Sequence, residues 1–151
     1  MTYTITQESP ASADGRLLIG ELDAELEPLY ARESRHGYSV DKLLAEGVAF
    51  FILRADGEPA ACGGIKLFGT EFGELKRMYV RDAYRGRGFS KLMLEHLAQY
   101  ARDHGIPLLR LETGIHQAAA IRLYESNGFV RIPPFAGYHD DPVSLCYERP
   151  S

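Results

Sequence analysis

The sequence predicts an α/β domain whose mixed sheet is antiparallel in its first part and carries helices on its faces. Three observations predict it. Segments with apolar residues at helical spacing alternate with short β-rich runs along the whole chain. Asp56-Gly57-Glu58-Pro59 separates two apolar runs in the manner of a hairpin. A helical stretch over 88–104 lies between strand-like runs at 74–80 and 108–113, as a crossover between parallel neighbours does.

The elements follow in order. "YTITQES" alternates and is rich in β formers, which predicts a first strand. From Arg16 to about Tyr30, Leu17, Leu18, Leu22, Leu26 and Leu29 recur at helical spacing. Ser39 is suited to cap a short second helix that stops at Gly47. "VAFFILRA", "AACGGIKLF" and "ELKRMYV" read as three strands. The next helix sets Phe89, Leu92, Met93, Leu97, Tyr100 and Ala101 on one face and stops at Gly105, before Pro107. "LLRLET" is a strand, a helix runs from about Gln117 to Ser126, and Asn127-Gly128 ends it. Short strands are expected near Phe129–Ile132 and Val143–Glu148.

At 151 residues, with no internal repeat or low-complexity linker, the chain reads as a single domain over 1–151. Its formal net charge of −4 argues against a general nucleic-acid binder. Cys62 and Cys146 have no metal-type spacing and read as reduced, buried thiols. "MTYTITQESP" lacks the basic start and apolar run of a signal peptide, and no window is apolar enough to span a membrane. A cytoplasmic protein is expected.

The most informative stretch is "YRGRGFS", where a strand hands over to a helix. A bland turn needs one glycine, whereas two glycines let backbone approach a ligand without a Cβ in the way. A helix N-terminus adds free N–H donors and the positive end of the helix dipole, and arginine adds forked donors. Together they suit a phosphate, although a plain turn with solvent-facing arginines would look similar. A P-loop is excluded because Gly-Lys-Ser/Thr at the required spacing is missing. A dinucleotide fingerprint would need glycine or alanine at Lys91 and would normally open such a domain.

With these residues the sequence resembles the GNAT superfamily of acetyl-CoA-dependent N-acetyltransferases. That family carries Arg or Gln, two residues, Gly, one residue, then Gly or Ala. Arg85-Gly86-Arg87-Gly88-Phe89-Ser90 matches, with Ser90 departing at the last place. A second family pattern falls on Gln117, Ala120, Leu123-Tyr124 and Gly128-Phe129, with glutamine for the usual asparagine. The resemblance implies a mainly antiparallel sheet of about six to seven strands flanked by about four helices, and acetyl-CoA as co-substrate with no metal. It implies that the CoA pyrophosphate meets the backbone from Arg85 to Ser90. The pantetheine arm would pair with Met78, Tyr79 and Val80, and Gln117 would lie on the cofactor side.

The resemblance also assigns chemistry. Tyr124 matches the tyrosine that assists the departing thiolate, although Leu123-Tyr124 is also what a helix packed on a sheet shows. Glu74 lies eleven residues before Arg85, where some members carry a catalytic base; Glu112 is the lesser candidate. A backbone N–H near Met78–Val80 would meet the oxyanion. Glu71, Asp140 and Asp141 could attract a cationic amine, and "PPFAGYHDDP" could border the acceptor pocket. His139-Asp140-Asp141 is a poor metal site, because three adjacent residues rarely converge on one ion. His36, His96, His104 and His116 read as surface or helix-end residues. The expected reaction is acetyl transfer to a primary amine, of a small molecule, in a ternary complex. Acetylation of a protein lysine or N-terminus and a non-catalytic acyl-CoA-binding module are the alternatives. No nucleic-acid or membrane partner is expected, and a homodimer only because relatives often form one.

Overall fold

A computed structural model describes residues 2–31, 34 and 38–151. The order is β1 (Tyr3–Gln7), α1 (Ala13–Leu26), α2 (Val40–Ala45), β2 (Ala49–Ala55), β3 (Glu58–Phe68), β4 (Phe72–Val80), α3 (Phe89–Asp103), β5 (Leu108–Gly114), α4 (Ala118–Ser126), β6 (Val130–Ile132) and β7 (Ser144–Pro150). The strands form one sheet in the order β1-β2-β3-β4-β5-β7-β6. All pairs are antiparallel except β4–β5, the pair that α3 crosses between. The predicted fold class is the observed one.

The sheet is sandwiched because β2 is apolar on both faces. Ala49, Phe51 and Leu53 pack with Met93, Leu94 and Leu97 of α3. Phe50 and Ile52 point the other way, onto Leu18 and Ile19 of α1 and Leu43 of α2. The β2–β3 turn is tighter than predicted. Asp56 and Gly57 both have positive φ (49° and 85°) and Ala55 faces Glu58, which makes a two-residue hairpin that starts β3 at Glu58.

Helix ends follow their caps. Ser39 accepts from the Lys42 N–H at 3.1 Å, as expected for α2. Ser12 accepts from the Gly15 N–H at 3.0 Å, so α1 starts earlier than the leucine pattern indicates. It also ends earlier, at Leu26, which releases Tyr30 from the helix. Past α3, Gly105 turns left-handed at φ 71° and the Ile106 N–H returns to the Ala101 carbonyl at 2.9 Å.

Candidate active site

The site begins where the sheet opens. β4 and β5 pair only at Gly73–Leu109 and Glu74–Arg110, so from Leu75 onward β4 has no partner in β5. On its other side β4 faces Gly64 with Lys76 and Cys62 with Tyr79, which leaves Arg77 and Met78 against a single β3 residue. That is a bulge, and Arg77 sits in it at φ 56°. A splayed pair with a bulged strand exposes backbone donors and acceptors in the middle of a sheet, where an extended ligand can add itself like a strand.

Two cavities meet at this opening. One, of about 400 Å³, is lined by Met78, Tyr79, Val80, Arg85, Gly86, Gly88, Phe89, Ser90 and Gln117, among others. Gly86 and Gly88 have φ of 79° and 81°, and a Cβ at either would meet no protein atom. Backbone conformation, not crowding within the protein, is therefore what requires glycine there. Gly88 caps α3 with no side-chain hydrogen bond, so the first N–H groups of the helix are left for another acceptor. The Phe89 ring turns inward and is buried, offering only its backbone. Arg85 lines the cavity but donates to the Val80 carbonyl (3.0 Å) and to Glu25 of α1 (2.7 Å). Arg87 is not part of this wall; its guanidinium lies over the Tyr84 ring, 5.4 Å from the centroid.

The second cavity, of about 420 Å³, lies on the α1–α2 side and shares Leu22, Leu26, Met78, Gln117 and Tyr124 with the first. Tyr30, Ser34 and Tyr38 come from the α1–α2 connection, Lys76 and Arg77 from β4, Glu112 and Thr113 from β5, and Tyr138 from the β6–β7 loop. Tyr30 crosses the opening: its hydroxyl accepts from the His116 N–H at 3.0 Å and reaches Gln117 at 3.4 Å. It fits because residue 114 is glycine; a Cβ there would lie 2.0 Å from the Tyr30 oxygen. Strand alternation puts Glu74, Lys76 and Glu112 on one face, since Leu75, Leu109 and Leu111 join the α3 core on the other.

The comparisons with known proteins agree with this geometry. The family model described as "Acetyltransferase (GNAT) family" matches residues 18–129. An IAA acetyltransferase of Azospirillum brasilense is 40% identical over 148 residues, covering 97% of this chain and 97% of that protein. The chain belongs to the GNAT acetyltransferase family. It is an acetyl-CoA-dependent acyltransferase. A Klebsiella pneumoniae structure, provisionally assigned as an acyl-CoA N-acyltransferase, is 38% identical with a TM-score of 0.84, over 99% of this chain and 97% of that one. The PaiA N-acetyltransferase of Thermoplasma acidophilum, solved with coenzyme A, shares the fold at 20% identity and a TM-score of 0.78, over 100% of both chains.

Within this GNAT site the two carboxylates differ sharply. Glu74 is buried, accepting from Lys76 Nζ (2.9 Å) and the Tyr138 hydroxyl (2.6 Å), and it forms no part of the wall of the second cavity. Glu112 does line the cavity, and Ser144 donates to it at 2.7 Å. Burial raises the Glu112 carboxyl to about 7, against the lowering effect of the Ser144 bond. Burial lowers the Lys76 ammonium, opposed by Glu74. Tyr124, at the junction of the cavities, has its phenol raised by burial and then by the charge of Glu112. The Gln117 side chain accepts from the Gly114 N–H at 3.0 Å, so it shapes the turn into α4 as well as the walls of both cavities.

Other expectations land elsewhere. Asp141 holds Ser34 (2.7 Å) and the Val143 N–H (3.0 Å), and Asp140 and Asp141 line a separate recess. The residue that "PPFAGYHDDP" sends into the acceptor side is Tyr138. Both cysteines are free and buried. His96 packs edge-on against Phe51, and His36 lies outside the described residues. Among the described residues no group of three His, Cys, Asp or Glu is arranged to hold a metal, and no helix is long and apolar enough to cross a membrane. Tyr138 lies in the loop that the sequence nominates, whereas no local motif marks Tyr30, Tyr38, Lys76 or Arg77 as site residues.

Proposed function

We propose that residues 1–151 work as one domain that moves the acetyl group of acetyl-CoA to a primary amine of a small molecule, by direct attack in a ternary complex. The observation that carries this is the meeting of the two cavities at Tyr124 and Met78, with Glu112 on the acceptor side. An acceptor cavity of about 420 Å³ suits a small molecule, and the Azospirillum relative is named an IAA acetyltransferase, which points the same way. We infer that the protein works in the cytoplasm.

The cofactor-side residues suit acetyl-CoA. The pyrophosphate would meet backbone N–H groups from Arg85 to Ser90 at the uncapped start of α3, and the pantetheine arm would run along Met78–Val80, where β5 has left β4. Glu112 takes the proton from the incoming ammonium. A carboxylate at about 7 is a better base for that task than an ordinary one. Glu74, already held by Lys76 and Tyr138, is the weaker choice. The amine nitrogen then attacks the thioester carbon and a backbone N–H at the bulge receives the oxyanion. As the C–S bond breaks, the sulfur accepts a hydrogen bond from Tyr124 and takes the second proton of the attacking nitrogen, so that the neutral amide and the free CoA thiol are released. The raised pKa of Tyr124 keeps the phenol protonated, so it stabilises the thiolate chiefly by donating that bond.

The test is free CoA release from acetyl-CoA across amino acids, polyamines, aminoglycosides, arylamines and lysine peptides. Release that depends on one small-molecule class is expected. Release with peptides alone would assign a protein acceptor instead, and release with none, in a protein that binds acetyl-CoA, would overturn the amine-transfer reading.

A further inference from the structure

The residue at the centre of the β4 bulge is an odd choice. Arg77 adopts φ 56°, a conformation that long L side chains rarely take and that glycine takes freely. Strain of this kind persists only where the surroundings over-determine it. Here they do. The Arg77 side chain is 4% exposed and forms an ion pair with Asp23 of α1, while the same terminal nitrogen reaches the Ile19 carbonyl at 3.4 Å. The Cys62 thiol of β3 donates to the Arg77 carbonyl at 3.3 Å. The Arg77 Nε is buried with no hydrogen-bond partner. An arginine held in strained backbone with one donor unmet is a poor device for stability alone. Its effect is to fix the direction of the next peptide unit.

That unit carries the Met78 N–H, and neither neighbouring strand has a residue in register with Met78. We propose that Arg77 is a positioning residue: tied to Asp23, it holds the bulge so that the Met78 N–H faces the acetyl carbonyl and receives the oxyanion. This rests on the acetyltransferase reading above. It adds that catalysis depends on how α1 is seated. The helix that grips the bulge through Asp23 also supplies Leu22 and Leu26 to both cavities, so one helix contacts the bulge and walls each cavity.

The experiment follows backbone amide resonances of ¹⁵N-labelled protein through separate titrations with CoA and with acetyl-CoA. In the wild type, Gly86 and Gly88 should shift with either ligand, and Met78 should show an additional shift with acetyl-CoA only. Arg77→Gly accepts the same backbone conformation but loses the tether. In it the Gly86 and Gly88 shifts should persist and the acetyl-specific Met78 shift should fall by about half or more. Its kcat should drop about tenfold or more, with the KM for acetyl-CoA held within about threefold. Asp23→Asn alters the surface end of the same contact, where Asp23 is 57% exposed, and should shift both readouts the same way by less. It decides the matter if Arg77→Gly does not fold. Wild-type Met78 shifts and kcat in the folded variants would overturn the positioning role. Unresponsive Gly86 and Gly88 in the wild type would instead overturn the cofactor placement beneath it.

Discussion

The two cavities are built in different ways. The proposed cofactor side is mostly backbone: the left-handed Gly86 and Gly88, the uncapped start of α3, and the stretch of β4 that β5 abandons. The acceptor side is mostly side chains, delivered by the α1–α2 connection, β4, β5 and the β6–β7 loop. A backbone site tolerates many side chains but few changes of conformation. A side-chain site can be re-specified residue by residue without disturbing the sheet. The comparison teaches that, on the proposed assignment, one molecule would hold its co-substrate with the backbone of a local motif and its acceptor with side chains gathered from distant segments.

The largest effect should come from attacking the backbone side. Gly88→Trp forces a bulky L residue into φ 81° and projects it into open space at the start of α3. Acetyl-CoA affinity, read by calorimetry, should fall by about a hundredfold or more while circular dichroism reports a folded protein. Unchanged affinity would break the comparison at its base. The junction residue comes next. Tyr124→Phe should bind acetyl-CoA within about twofold of wild type yet lower kcat by about a hundredfold, the scale of a lost hydrogen-bond donor to charge that develops in the transition state.

The two carboxylates then sharpen the acceptor side, because they should fail differently. With Glu112 near 7, kcat/KM should rise with pH through about 7, and Glu112→Gln should remove that limb and cost about tenfold to a hundredfold at pH 8. The linkage has the opposite sign for stability. A carboxyl raised from 4.5 to about 7 favours the folded state below pH 4.5, and that contribution is lost as pH climbs through 7. Glu112→Gln should therefore raise Tm relative to wild type at pH 8 and not at pH 4. Glu74→Gln should keep the pH limb and lose stability, by about 3–5 kcal/mol, since it strands the buried Lys76. If Glu74→Gln removes the limb instead, the base is Glu74.

This contrast also governs what the sequence reveals. Arg85 to Ser90 is legible because a strand-to-helix turn, two positive-φ glycines and a helix start are all written in consecutive residues. The order of strands is legible for the same reason, each element being a local pattern of period two or 3.6. Tyr30 is not: its leucine neighbours extend the helical pattern past Leu26, and only the space above Gly114 shows where its ring goes. Nor is the state of Glu74, because the partner that completes its shell, Tyr138, lies 64 residues away in a loop. Spacing can nominate a carboxylate, but only the assembled sheet shows whether that carboxylate faces a cavity or a lysine.

The smallest expected effect lies where the two sides touch. Arg85 belongs to the loop proposed to meet the pyrophosphate, yet its guanidinium is held by Glu25, on the helix that walls both cavities. The pair is half exposed, at 45% and 41%, so its own contribution to stability is small and screened by salt. Its consequence is for binding. On the proposed placement, a pyrophosphate arriving at the loop would compete with Glu25 for the same terminal nitrogen, and removing the competitor would free it. Glu25→Gln should thus tighten acetyl-CoA by about two- to threefold at low salt, with the gain fading near 0.5 M salt, while Arg85→Ala should weaken it several-fold over the same range. Weaker binding in Glu25→Gln would show that the carboxylate aims Arg85 at the loop rather than withholding it, making α1 a structural part of the cofactor side as well as a wall of the acceptor side.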